Sequence, residues 1–208
     1  MSHKTNRILL LFAHPSQSQS EVNLPLFQAS AKVEGVTAVD LYAEYPTNRI
    51  NIDREQERLL AHDTLIFQFP MYWYSTPPIL KEWQDLVLEY GFAYGAGGTA
   101  LHGKSFMCSF TAGGPEVAYG KGGLNNFTVR ELLRPLEQTA MLTGMHFHPP
   151  FALFGARTAL EENRLDVHIQ QWVKVLEMLK TTSFNTADFE GYDTFNQWYD
   201  KNNEQRSS

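Results

Sequence analysis

The run Ile8-Leu9-Leu10-Leu11-Phe12, entered from Arg7, limits the folds open to this chain more than any other stretch. Five consecutive apolar residues cannot alternate between core and solvent, and the run is too short for a helix. A strand covered on both faces accommodates it, and such strands belong to parallel sheets with crossover helices on both sides. Leu65-Ile66-Phe67 with Phe69 has the same character. Pro70 ends it, because proline has no N–H for the ladder and restricts the residue before it.

Further strands are expected at Val36 to Tyr42, which alternates, at Lys104 to Phe110, and at Met145 to Phe154 with Pro149-Pro150 as an interruption. Helices are expected between them. The first runs from Ser18, which has capping-box spacing to Glu21, to about Lys32, and Gly35 breaks it. The second starts at Asp53 and covers Arg54 to His62. The third follows the hydroxyl cap and prolines of Ser75-Thr76-Pro77-Pro78 and carries Ile79, Leu80, Trp83 and Leu86. The fourth spans Thr128 to Thr143. The last spans Leu160 to Lys180, with Leu165, His168, Ile169 and Trp172 on one face. Five alternations of strand and helix predict an α/β fold, a doubly wound five-stranded parallel sheet with helices on both faces, and the order expected for it, among those such sheets take, is 2-1-3-4-5.

The chain of 208 residues is long enough for one domain, taken as residues 1–182. Residues 183–208 are a polar extension that nonetheless holds Phe189, Tyr192, Phe195, Trp198 and Tyr199. Tyr192, Phe195 and Tyr199 fall at helical spacing, which predicts a segment docked on its own body or on a partner subunit. A net charge of -6 without a Lys/Arg cluster argues against nucleic acid and against anionic lipid. The one cysteine, Cys108, cannot form an internal disulfide, which suits a reducing cytoplasm. Ile8 to Phe12 is too short for a signal or a membrane span, so neither export nor membrane insertion is expected.

Three loops follow strands one, three and four, and the expected order sets them side by side at the carboxyl edge, where open α/β sheets bind ligands. His14 to Asn23 brings serine hydroxyls and amides at a helix start, suited to a phosphate. It holds no Lys or Arg, so dipoles and hydroxyls would carry that contact. Pro70 to Tyr74 brings three consecutive rings, suited to a flat ligand. Thr111 to Gly114 brings two glycines that let backbone N–H groups approach a ring edge. Phosphate, flat ring and polar ring edge together describe a flavin nucleotide.

Other motifs carry less. Gly98 to Ser105 matches the triphosphate P-loop letter for letter, but that loop works between a strand and a helix, and here Lys104 and Ser105 enter an apolar strand. His146 and His148 alternate and could share a face, yet no Cys/His/Asp cluster completes a metal site. Cys108 is expected as a buried small side chain. No Gly-x-Ser-x-Gly elbow marks a serine hydrolase.

With these loops located, the chain resembles the flavodoxin-like NAD(P)H:quinone oxidoreductases, and among them the bacterial ancillary proteins of glutathione-gated potassium-efflux antiporters. The resemblance rests on Phe12-Ala-His-Pro15 with Asn23, Asp53-Arg-Glu-Gln-Glu57, Phe69-Pro-Met-Tyr-Trp-Tyr-Ser75, Leu80-Lys-Glu-Trp83, Gly91-Phe-Ala-Tyr-Gly95, Ala100-Leu-His-Gly-Lys104 and Thr111-Ala-Gly-Gly114. It covers about Ile8 to Lys180.

The resemblance implies FMN, with FAD as the alternative, NAD(P)H as donor and a quinone as acceptor in ping-pong turns. It also implies a homodimer with sites at the subunit interface. Carried over by residue, His14, Ser20, Glu21, Val22 and Asn23 line the flavin phosphate. Pro70, Met71, Tyr72, Trp73 and Tyr74 hold the ring system together with Thr111, Ala112, Gly113 and Gly114. Tyr119 stands where those reductases have a tyrosine near the reacting ring, while Asn125 stands about where they have a histidine. Ala112 replaces a threonine of the family loop, losing a hydroxyl and keeping the backbone. The alternative role is a regulatory subunit on the cytoplasmic domain of an antiporter, with redox activity secondary. A flavodoxin-type electron carrier is a third reading, with little support from so modest an acidic charge.

Overall fold

The computed structural model describes residues 5–204. In chain order the elements are β1 (Ile8–Phe12), α1 (Asn23–Ser30), β2 (Val36–Asp40), α2 (Leu41–Glu44), α3 (Ile52–Ala61), β3 (Thr64–Pro70) and α4 (Pro78–Val87). There follow β4 (Ser105–Thr111), α5 (Val129–Leu132), α6 (Arg134–Leu142), β5 (His146–Phe147), β6 (Phe151–Leu153), α7 (Arg164–Thr181) and α8 (Phe195–Glu204). The strands form one parallel sheet in the order β2-β1-β3-β4-β5, and β6 also pairs with β4.

Period-two alternation splits each central strand between two cores. Leu9, Leu11, Leu65, Phe67, Phe69, Phe106 and Phe110 face Leu59, Ile79, Trp83 and Leu136 on one side. Ile8, Leu10, Phe12, Ile66 and Met107 face Leu26, Trp172, Val175 and Leu176 on the other. This two-sided burial is why β1 and β3 are continuously apolar. On the first side a carboxylate is fully enclosed. Glu55 accepts hydrogen bonds from the Tyr45 hydroxyl (2.6 Å) and the Trp83 indole N–H (2.9 Å), and pairs with Arg58. It thereby ties α3 to α4, the helix that leaves the aromatic loop.

Several boundaries differ from the sequence reading. The fifth strand is two pieces, because Pro149 and Pro150 interrupt the hydrogen-bonding run, so the sheet has six strands. Residues 17–19 form a 3-10 turn rather than the start of a helix, and α1 begins only at Asn23, so Ser18 and Glu21 make no capping box. The Asn51 side chain, not Asp53, caps α3. Pro77 precedes α4 without any side-chain cap from Ser75 or Thr76. The expected fourth helix breaks at Leu133, where Pro135 sits in the first turn of α6 and gives up an N–H that is free there anyway. The last long helix starts at Arg164, whose guanidinium is held by the carbonyls of Phe154 and Gly155, both at 2.9 Å.

The segment after α7 docks on its own body. Phe189, Phe195 and Tyr199 are buried in the core that contains Trp172 and Phe151, with Phe184 and Trp198 packed beside them. Tyr192 lies before α8 rather than on it, and residues 1–4 and 205–208 lie outside the described residues. Lys104 leads into β4 and donates to the His62 carbonyl at 2.5 Å, so the P-loop pattern serves a strand entrance. Among the described residues no group of His, Cys, Asp and Glu is arranged to hold a metal, and no helix is long and apolar enough to cross a membrane. Cys108 is buried, and burial pushes its thiol pKa up.

His146 and His148 do not share an environment: His146 is exposed and His148 is buried. His148 lies 3.0 Å from the Ser105 hydroxyl and against Phe184 and Phe189 of the C-terminal segment. Burial lowers its pKa to about 4, and that of His168, stacked on Phe151, to about 3.

Two predictions follow from this packing. Phe195 is fully buried, so Phe195→Ala should lower stability in denaturant unfolding by about 3–5 kcal/mol, as for a core phenylalanine. A loss under about 1 kcal/mol would place α8 outside the cooperative unit. The buried histidines are neutral when folded but bind protons near pH 6.5 when unfolded. Their contribution is therefore complete above pH 6.5 and is lost as pH falls towards 4 and 3. His168→Phe should flatten this acid limb in pH-dependent unfolding, and an unchanged limb would assign it to other groups.

Candidate active site

The carboxyl ends of β1, β3 and β4 open onto a cleft of about 710 Å³. The chain after β1 reaches it through Ser20, whose hydroxyl accepts the Asn23 N–H at 3.0 Å. The Val22 side chain makes no cap bond, so apart from the Ser20–Asn23 contact the positive end of that helix faces the cleft wall. Asn23 is buried and holds this helix start over the sheet. Its side-chain oxygen accepts from the Thr111 hydroxyl (3.1 Å), and its carbonyl accepts from the Gln68 amide (3.3 Å). The Thr111 hydroxyl is thus already committed as a donor.

The aromatic loop is a turn of an unusual kind. Tyr72 and Ser75 form an antiparallel bridge, with the Ser75 N–H donating to the Tyr72 carbonyl at 3.1 Å. The two central residues, Trp73 and Tyr74, have φ of 48° and 65°. Positive φ at both central positions belongs to type I′ turns, where Asn and Gly are favoured and bulky residues are strained. Such positions cost on the order of 1–3 kcal/mol each. The strain holds the Trp73 ring 92% exposed beside the cleft.

Across from this turn stand Gly113 and Gly114. Among the described residues no partner takes the N–H of either glycine. A Cβ at Gly113 would lie 3.4 Å from Arg157 Nε, and one at Gly114 would lie 3.6 Å from the Tyr119 ring. Both are ordinary contact distances, and the glycines border a second cleft, of about 330 Å³, that Tyr74, Tyr119 and Asn125 help to line. Tyr119 leans on Phe154 with ring centres 5.4 Å apart. Burial, and then the neighbouring Tyr74, raise its pKa, so its phenol is a hydrogen donor at neutral pH. Asn125 accepts from the Tyr74 hydroxyl at 3.1 Å.

Most residues singled out in the sequence meet here. Ser20, Glu21, Val22, Asn23, Pro70, Met71, Tyr72, Trp73, Thr111 and Gly113 line the larger cleft, and Tyr74, Gly114 and Tyr119 the smaller. Two do not line either. His14 is buried behind the wall, where its Nδ1 accepts the Ser16 N–H (3.1 Å) and its Nε2 lies 3.4 Å from the Tyr72 hydroxyl. Burial lowers its pKa, so it supports the loop as a neutral ring. Ala112 is buried and its N–H donates to Leu153 at 2.9 Å, which removes that donor from any ligand.

Arg157 is the cation that the first loop lacks, and it lines both clefts. No local sequence signal marks it. It arrives from the turn after β6, which the Ala156 N–H pins to the Ala112 carbonyl at 2.9 Å.

Comparison with known proteins agrees with this layout. A family model described as flavodoxin-like fold matches residues 6–176. The glutathione-regulated potassium-efflux system ancillary protein KefG of Cronobacter sakazakii is 45% identical over 157 residues, covering 76% of this chain and 85% of that protein. Among solved structures, general stress protein 14 of Treponema denticola, in complex with FMN, superposes with a TM-score of 0.78 at 36% identity, covering 83% of this chain and 99% of that one. An NADPH-quinone reductase from P. pentosaceus has a TM-score of 0.74 at 30% identity, covering 86% of this chain and 99% of that one. By the extent of the sequence match and by its sheet order, this chain belongs to the flavodoxin-like family.

Proposed function

We propose that this chain is an FMN-dependent NAD(P)H:quinone oxidoreductase. The observation that carries this reading is the strained Trp73-Tyr74 turn, set across a cleft from two glycine N–H groups that have no partner among the described residues. A protein tolerates such strain and such unused donors where they serve a ligand. The cleft fits the group: an open helix N-terminus with Ser20 for the phosphate, rings for a flat face, and free donors for a polar edge. FMN bound there supplies two-electron transfer from NAD(P)H to a quinone in ping-pong turns. FMN is preferred to FAD because the similar structure from T. denticola holds FMN.

The chain's own residues divide the remaining work. Backbone N–H groups of Val22 and Leu24, with the Ser20 hydroxyl, bind phosphate; Asn23 N–H is committed to Ser20 and Pro25 has none. Met71 to Tyr74 orient the ring system and exclude water from one face. Gly113 and Gly114 N–H groups, with the Arg157 guanidinium beside Gly113, would hold the polar edge of the bound group and favour negative charge there. Tyr119, held protonated, donates a hydrogen bond or a proton to the acceptor. Asn125 cannot titrate, so it orients Tyr74 instead of relaying protons.

A second reading, an ancillary subunit of a potassium-efflux antiporter, is favoured by the apolar crown around the site. Trp73, Val117 and Leu124 are each more than 80% exposed. An exposed apolar surface of this kind suits a protein partner. A second copy, completing a homodimer over the site, and the cytoplasmic domain of an antiporter are the two occupants this reading offers. Such an ancillary subunit would be cytoplasmic and reach the membrane only through its partner.

The purified protein should show oxidised-flavin absorption with FMN and bleach under NADPH without oxygen; a protein that takes up neither FMN nor FAD would end the enzyme reading. Tyr119→Phe should slow quinone reduction by roughly 10²-fold, as for loss of a general acid, with FMN still bound. An unchanged rate removes Tyr119 from the mechanism. Trp73→Asn should leave the cofactor-free protein as stable or up to about 1 kcal/mol more stable, since Asn tolerates positive φ. FMN should bind it more weakly in a fluorescence titration, and undiminished binding would show that the ring does not serve the ligand.

A further inference from the structure

The matched family region ends at residue 176, and 83% of this chain already covers 99% of the T. denticola structure. The C-terminal segment is an addition to that shared module, and it reaches the active-site rim. Its base is firmly seated. The Phe195 N–H donates to the Pro150 carbonyl at 2.8 Å, and the Asn196 side-chain oxygen accepts the Ala152 N–H at 2.8 Å. Asn196 thereby satisfies a donor on β6, which would otherwise lack a strand partner on that side.

The next residue extends this anchor. Thr194 and Gln197 stand at capping spacing at the start of α8, and the Thr194 hydroxyl accepts the Gln197 N–H at 3.3 Å. The Gln197 side-chain oxygen accepts the Asp193 N–H at 3.0 Å, which fixes the direction of the amide. Its Nε2 then donates to the Glu116 carboxylate at 2.9 Å, 81 residues earlier in the chain. A flipped amide would lose both contacts, since Asp193 N–H only donates and the carboxylate only accepts.

Glu116 opens the turn that carries Tyr119: its carbonyl accepts the Tyr119 N–H at 2.9 Å. At the far end of the same loop, the Asn125 N–H donates to Ala118 at 2.9 Å, and the Asn125 side chain accepts from Tyr74. The loop is thus tied to the aromatic turn at one end and to the C-terminal segment at the other.

We propose that Gln197 is a positioning residue for Tyr119, and that the C-terminal segment clamps the 115–127 loop through the Gln197–Glu116 hydrogen bond. The proposal rests on the reading of Tyr119 as the acceptor-side group. In this surface hydrogen bond Gln197 adds no charge of its own.

The test uses the full chain with Gln197→Glu. This variant keeps an acceptor for the Asp193 N–H, and so keeps the helix cap, but sets a second carboxylate against Glu116. Hydrogen exchange at the Ala118 and Tyr119 amides, measured without FMN, should quicken roughly fivefold, the factor expected for one ordinary hydrogen bond. The kcat for quinone reduction should fall by a similar factor while FMN affinity holds and unfolding stays cooperative, its equilibrium constant changing by no more than about that factor. Adding Glu116→Gln restores a donor facing an acceptor with the roles exchanged, and should rescue both readouts. Unmoved exchange in Gln197→Glu, or no rescue in the double variant, would overturn the clamp. Quickened and rescued exchange alongside a Tyr119→Phe variant of unchanged rate would uphold the clamp and reject the role of Tyr119 instead.

Discussion

The site depends on how the buried Asn23 is held. The Trp172 indole N–H donates to the Ser30 hydroxyl at 2.8 Å, Ser30 donates to the Leu26 carbonyl at 2.9 Å with the Gln68 side-chain oxygen 3.4 Å away, and Gln68 donates to the Asn23 carbonyl. Thr111 completes the chain at the Asn23 side chain. These groups link α7, α1, β3 and β4 through a core that is otherwise apolar. Each of them would cost on the order of 1–3 kcal/mol if left without a partner. The arrangement therefore has one satisfied geometry, and that geometry sets the open start of α1 beside the ends of β3 and β4. A cleft between three loops needs such a fixed corner, because loops alone do not hold positions to within hydrogen-bonding tolerance.

The opposite wall is built from strain instead of satisfaction. Trp73 and Tyr74 occupy backbone conformations that suit glycine or asparagine, and the turn persists because both of its ends are immobilised. β3 enters it from the middle of the sheet, and α4 leaves it with Trp83 buried on Glu55. Deep packing on either side overrides an unfavourable local preference at the centre. The consequence is a rigid aromatic edge that no flexible loop would provide, facing glycines whose missing side chains leave room for a ligand.

Much of this was legible because burial on both faces leaves a direct mark on sequence. Ile8 to Phe12 and Leu65 to Phe69 admit few structures other than central parallel strands, and their loops then fall together by topology. Local capping was less legible. Ser18, Asp53 and Ser75 each carry the right chemistry for an N-cap, yet Val22, Asn51 and Pro77 take those places, since where a helix begins depends on what its first turn packs against. His14 and Ala112 sit in motifs that line the cleft, but their groups are spent behind it on Ser16, Tyr72 and Leu153.

Periodicity and prolines act within a few residues, so the buried strands, their ends and the ring-rich turn are readable from the chain, and the sheet order follows once the doubly wound class is recognised. Which groups reach the cleft from afar is settled by how distant elements pack. Arg157 enters through a turn pinned to Ala112, and Gln197 meets Glu116 from the other end of the chain. Their contacts are long-range, made by packing one element on another, and such contacts leave no period in the chain.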